Sequence, residues 1–400
     1  MPETMPRTMP KTMPKTMDAE RIIETAQWRT GRSDFGSDSF REGLEILVAD
    51  ANGDVANRPA PLMQRFEDDL IMNLSQRLKA VDYLKHHPEL TDRRIERPVF
   101  VFGMPRTGTT LLSNLLNADP ARRSPLSWEI EEPFPPVQQG ELTSDPRALR
   151  KLEQERVMLQ AMPEMGKYYR SSAIYPNECI FFMAHDLKAL VFEARGKLPN
   201  YRDWLFGCDM TSAYEYHRSF LQILQQNVGG TWNLKMPSHA LWLDILKSVY
   251  PDARLVWTHR DPFTALGSFC SIITLGHKGF TAQPDLGYIG ENCTFQAAEH
   301  ANRIMDYREA RGEDSVIDVH YATLMRDPIA AMRRLYAALG DAFTPEAEAG
   351  MQQWLDKNPQ GKFGRHEYRL GQYGLSAGQL EPVFDRYLSR YDIEREGADG

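Results

Sequence analysis

The sequence predicts an α/β fold, a parallel sheet flanked by helices, with a helical N-terminal extension and a helical insertion. Three observations carry this. Short strand-like segments at 98–102, 231–235, 253–257 and 316–319 alternate with stretches of helical periodicity. The run at 253–257 is apolar apart from Arg254 near its start, in the manner of a strand buried on both faces. Strands separated by helices imply right-handed crossovers, so a functional site is expected beyond the strand C-terminal ends.

The elements follow in order. Residues 1–17 hold the tetrad repeat MPET-MPRT-MPKT-MPKT, whose proline at every fourth position forbids a helix; a disordered tail is expected. Residues 18–95 read as a helical extension, with helices at 21–30, 39–52 and 62–86 and apolar Leu70, Ile71, Leu74, Leu78 and Val81 at helical spacing in the last. An α/β core then spans 96–392. It opens with strand 98–102, a glycine-bounded loop and a helix at 108–117. A helical insertion, about 145–228, is rich in aromatic residues and Met. Strand 231–235 leads to a helix near Ser238, strand 253–257 to the run THRDPFTALGS and another helix, and strand 316–319 to a helix at 328–339.

Composition narrows the function classes. The chain has 400 residues, 42% of them hydrophobic, and a formal net charge of -8. That balance argues against a nucleic-acid partner, so any basic site must be local. No run approaches the roughly eighteen apolar residues of a membrane span, and a signal-peptide-like stretch is missing; a cytoplasmic location is the expectation. Cys179, Cys208, Cys270 and Cys293 have no metal-ligand spacing, and no metal is expected.

The first loop carries chemistry. Gly103-x-x-x-x-Gly108-Thr109-Thr110 is the frame of a phosphate-cradling P-loop, but Thr109 stands where a nucleoside-triphosphatase has its lysine, and the loop's cation is Arg106. Backbone N–H groups and a helix start still suit an anion. A second element, THRDPFTALGSF at 258–269, puts Arg260 at a strand end and Ser268 about two turns into the next helix, so both can converge on one phosphate. Lys235 also ends a strand, in NLKMP.

With these residues in view, PRTGTTLL together with R-x7-S resembles the two nucleotide signatures of sulfotransferases that use 3'-phosphoadenosine-5'-phosphosulfate (PAPS). The runs SDFGSDSFREGLEILV, LSWEIEEP, NLKMPSHALWLDILKSVYPDARLVWTHRDP, VHYATLMRDP and GRHEYRLGQYGLS are similar to the large bacterial branch, menaquinone-type mycobacterial members included. The resemblance covers about 33–390. It implies a PAPS co-substrate, with Arg106, Thr107, Gly108, Thr109 and Thr110 on the 5'-phosphosulfate and Arg260 and Ser268 on the 3'-phosphate. It further implies that Lys235 and Arg106 stabilise the transferring and leaving oxygens. Glu129 is the expected base for the acceptor hydroxyl, and His185 its rival. A late basic loop with Lys362, Arg365 and His366 is expected to close the 3' side. His259 is expected to be a packing or supporting residue, and His239 to line the acceptor site or cap a helix. The implied partner is a hydroxylated small molecule or lipid, with peripheral membrane contact left open, and Phe181, Phe182, Met183, Tyr201, Trp204 and 269–275 are candidates for an apolar acceptor wall. Two other readings stay open on the residues alone: a P-loop kinase and a non-catalytic nucleotide-binding protein.

Overall fold

A computed structural model describes residues 16–161, 172–359, 369–393 and 395–396. The chain divides into two compact units. One comprises residues up to 93 with 180–223 and 273–285; the other comprises 94–179, 224–272 and 286 onward.

The first unit is helical, as the extension's periodicity predicts. Helix Ala19–Thr30 starts where the Asp18 carboxylate accepts from the Arg21 N–H at 2.8 Å and stops at Gly31 in the left-handed region. Its buried Ile22, Ile23 and Ala26 pack on helix Ala60–His86, which turns Phe66, Leu70, Leu74 and Leu78 inward. Packing begins slightly before Asp18: Met17 is buried, and its N–H donates to Asn52 Oδ1 at 2.8 Å. Helix Arg41–Gly53 packs on helix Pro199–Gly207. A Cβ at Gly43 would lie 2.7 Å from the Leu187 carbonyl oxygen, so only glycine allows that approach. The first fifteen residues of the repeat tail lie outside the described residues.

The second unit is built on a five-stranded parallel sheet. Its strands are β1 (Val99–Phe102), β2 (Arg122–Arg123), β3 (Thr231–Lys235), β4 (Arg254–His259) and β5 (Ile317–His320), in the order β2-β3-β1-β4-β5. Four match the strands read from the sequence; β2 is two arginines long and has no apolar signature. Alternation along each strand feeds two cores. Val99, Val101, Val256 and Val319 meet Leu112, Leu115, Met332, Leu335 and Leu339 from helices Thr109–Asn117 and Pro328–Leu339. On the other face Phe100 packs edge-on to His239 and against Tyr250, and Trp257 meets Tyr387 and Tyr391. β1 lies centrally, with β3 and β4 on either side, so the ends of these three strands open together at one edge.

Candidate functional site

The loop after β1 is shaped by two close approaches. Gly103 has φ 149°, and a Cβ there would sit 2.7 Å from the Thr258 carbonyl oxygen; Gly108 has φ 94°, and a Cβ there would sit 2.7 Å from the Tyr321 ring. Between them Arg106 adopts a left-handed φ of 74°, a conformation that costs a non-glycine residue on the order of 1 kcal/mol. The buried Thr107 hydroxyl donates to the Met104 carbonyl at 2.7 Å and lies 2.6 Å from the Thr258 hydroxyl, so it ties the loop to β4. Thr109 and Thr110 open the following helix, where unpaired N–H groups and the helix dipole favour an anion.

The second element comes to the same place. Arg106 Nε donates to Ser268 Oγ at 2.9 Å, and Arg260 Nη1 donates to the Arg106 carbonyl at 2.8 Å. Residues separated by more than 150 positions thus form one contiguous polar cluster. Arg260 lies over the Tyr321 ring, its guanidinium carbon 4.1 Å from the ring centre. Its Nε and Nη2 donate in parallel to Glu396 Oε1 and Oε2 at 2.6 and 2.7 Å. Burial alone would lower the guanidinium pKa, but the Glu396 hydrogen bonds and the Tyr321 neighbour leave it raised. Asp261 does not take this arginine. At the start of helix Pro262–Lys278 its Oδ2 accepts from Thr264 Oγ1 at 2.9 Å.

Lys235 ends β3 in register with Val101, two residues before Gly103. It is 4% exposed, and its Nζ donates to Glu178 Oε1 at 2.6 Å. The following Met236 N–H donates to the Val101 carbonyl at 3.2 Å, which locks this strand end to β1. Glu178 keeps 28% of its side chain exposed, so a carboxylate with an open face stands beside a buried lysine at the sheet's C-terminal edge.

Glu129 is closed in. It is 2% exposed, its Oε1 accepts from Arg123 Nη2 at 2.6 Å, and its Oε2 accepts from the Leu126 N–H at 3.2 Å, closing a short helix, Ser127–Glu131. Burial pushes its carboxyl above the usual range and Arg123 pulls part of that back. Both of its oxygens are thus engaged within the protein. His185 is a poor rival as well. It is buried in the helical unit, within 2.9 Å of the Tyr216 hydroxyl, and burial with the nearby Arg77 charge lowers its pKa to about 3. His259 is a packing residue, bonded to Asp318 at 2.7 Å, and His239 is wholly buried against Phe100. Phe182, Met183 and Tyr201 belong to the core of the helical unit, while Phe181 is exposed. Lys362, Arg365 and His366 lie outside the described residues.

Three residues that contact these side chains escaped the sequence reading. Tyr321 stands one residue past the end of β5 in VHYATLMRDP, a position that strand-end logic flags. Glu178 and Glu396 follow no periodic or motif signal.

The comparisons with known proteins decide the class. A sulfotransferase family model matches residues 98–345, more than half of the chain. The chain belongs to the sulfotransferase family. This sulfotransferase is similar to the crystal structure of sulfotransferase STF9 from Mycobacterium avium, with a TM-score of 0.90, 39% identity and coverage of 98% of this chain and 100% of that one. It also resembles sulfotransferase STF1 from Mycobacterium tuberculosis H37Rv, with a TM-score of 0.82, 29% identity and coverage of 92% and 99%. A curated relative from Mycobacterium bovis, the omega-hydroxy-beta-dihydromenaquinone-9 sulfotransferase Stf3, is 23% identical over 72% of this sulfotransferase and 74% of its own length. These relationships support sulfotransferase activity and set aside the kinase reading. No helix among the described residues is long and apolar enough to cross a membrane.

Proposed function

We propose that this sulfotransferase moves a sulfuryl group from PAPS to a hydroxyl of an apolar small molecule or lipid. The single observation that carries the reading is the direct contact of the two signatures, Arg106 with Ser268 and Arg260, beside the Lys235–Glu178 pair. The residues fit the donor chemically: a guanidinium fork that already grips a carboxylate suits a phosphate, and the glycine-shaped loop with its helix start suits a second anion.

PAPS supplies the sulfuryl group and the leaving bisphosphate. Arg260 and Ser268 hold the 3'-phosphate, and the loop from Arg106 to Thr110 holds the 5' side. Glu178 accepts the acceptor hydroxyl's proton as the new O–S bond forms. Lys235 and Arg106 stabilise the negative charge that builds as the S–O bond to the nucleotide breaks and its electron pair stays with the phosphate. The proton acceptor is therefore placed on Glu178 and not on Glu129, because a base needs an open face beside the reacting centre. The menaquinone derivative in the name of the curated relative supports an apolar acceptor. Incubating the protein with labelled PAPS and a panel of hydroxylated lipids, quinols and sterols, read by product mass, tests the reading. Sulfation of apolar alcohols is expected; labelled transfer confined to polar sugars or peptides would sink the acceptor class.

A further inference from the structure

The fork of Arg260 already holds an anion of this chain's own. Glu396 engages Nε and Nη2 in the bidentate geometry that phosphates share with carboxylates, while Nη1 is held by the Arg106 carbonyl and one face is covered by Tyr321. We propose that Glu396 is a resident competitor that the 3'-phosphate must displace, and that its return to Arg260 promotes release of the spent nucleotide. This rests on the donor reading above.

Several features make the contact specific. Helix Ala377–Arg390 is anchored by Arg386 on Asp306 and Glu309 and by Arg390 on Glu309, so the tail leaves from a fixed point. Beyond it Arg395 lies over the Phe263 ring at 4.1 Å and pairs with Asp261 at 3.4 Å, which presents the next residue, Glu396, to Arg260. The tail borders a cavity of ≈ 810 Å³ lined by Arg260, Tyr321, Arg326, Asp392, Arg395 and Glu396, which gives an incoming group room beside the fork. The pair is also exchangeable. The side chains of Arg260 and Glu396 are 17% and 34% exposed, so water can replace either partner. A phosphomonoester carries nearly two charges against the carboxylate's one and wins the exchange. A nucleotide with a bare 3'-hydroxyl leaves Glu396 where it is.

Calorimetry with 3',5'-bisphosphoadenosine and with adenosine 5'-monophosphate, on the full chain and on Glu396→Gln, tests this. Glu396→Gln should bind the bisphosphate about fivefold tighter, the scale of one part-exposed ion pair, with a matching fall in its stopped-flow dissociation rate. The monophosphate affinity should not change. In an Arg260→Ala background the Glu396→Gln change should have no effect. Weaker bisphosphate binding by Glu396→Gln would show that Glu396 organises Arg260 instead of competing for it, and equal tightening of both nucleotides would reduce the effect to general charge; either overturns the proposal. A parent protein that binds the bisphosphate no better than the monophosphate would instead overturn the donor reading, a result distinguishable from both.

Discussion

Arg123–Glu129 and Arg260–Glu396 are the same chemical pair in two settings. In the first, the side chains are 1% and 2% exposed, a backbone N–H completes the carboxylate's bonding and the Trp232 ring covers the guanidinium at 4.8 Å. In the second, the arginine is equally well held, but its carboxylate comes from near the chain's end and is one-third exposed. A carboxylate next to an arginine therefore says little about role. Access separates the two: the closed pair is sealed from solvent, while the open pair keeps a third of its carboxylate exposed. Lys235–Glu178 falls on the open side, since the lysine is buried and the carboxylate is not.

The largest effect should appear at the open carboxylate beside Lys235. Glu178→Gln is expected to lower turnover by about 10²- to 10⁴-fold, the usual contribution of a positioned base, with bisphosphoadenosine affinity near normal; single-turnover kinetics would break the comparison if the rate held. The closed pair should respond in stability instead. Glu129→Gln leaves the Arg123 charge buried without its counter-ion, for a loss of about 3 kcal/mol or more in urea unfolding, while turnover per folded molecule stays close to the parent's. Arg260→Ala should weaken bisphosphoadenosine binding by about 2 kcal/mol, and unchanged calorimetric affinity would remove Arg260 from the nucleotide site.

The contrast can also be sharpened through pH. His259 is closed in, and burial above all lowers its pKa from 6.5 to about 4, against a partial rise from Asp318. The folded state therefore resists a proton that the unfolded state accepts. Its contribution to stability is complete above about pH 6.5 and is lost as pH falls toward 4, with a slope of up to roughly 1.4 kcal/mol per pH unit. Urea midpoints between pH 7 and 4 should show this slope, and His259→Phe should flatten part of it.

Much of the fold was legible because its signals are local. Strand-like segments between helical ones located β1, β3, β4 and β5, and glycine and proline punctuation placed the loops. β2 was invisible: it pairs only through Arg122 and Arg123 along the β3 edge, and pairing at an edge needs no apolar pattern. At the site, Arg106, Ser268 and Arg260 were readable from spacing at strand ends, and the structure brings them into contact. Glu129 was singled out through the family resemblance, while Glu178 carried no signal of its own. Their difference lies in burial and in which basic side chain folds back on them, which depends on contacts between distant segments.

Gly108 carries a consequence for how variants will be interpreted. The Tyr321 ring that fills the space beside it is the same ring that supports Arg260. A methyl group added at 108 would push on that ring and disturb the arginine it supports. A lesion in the first loop would then mimic a lesion at Arg260.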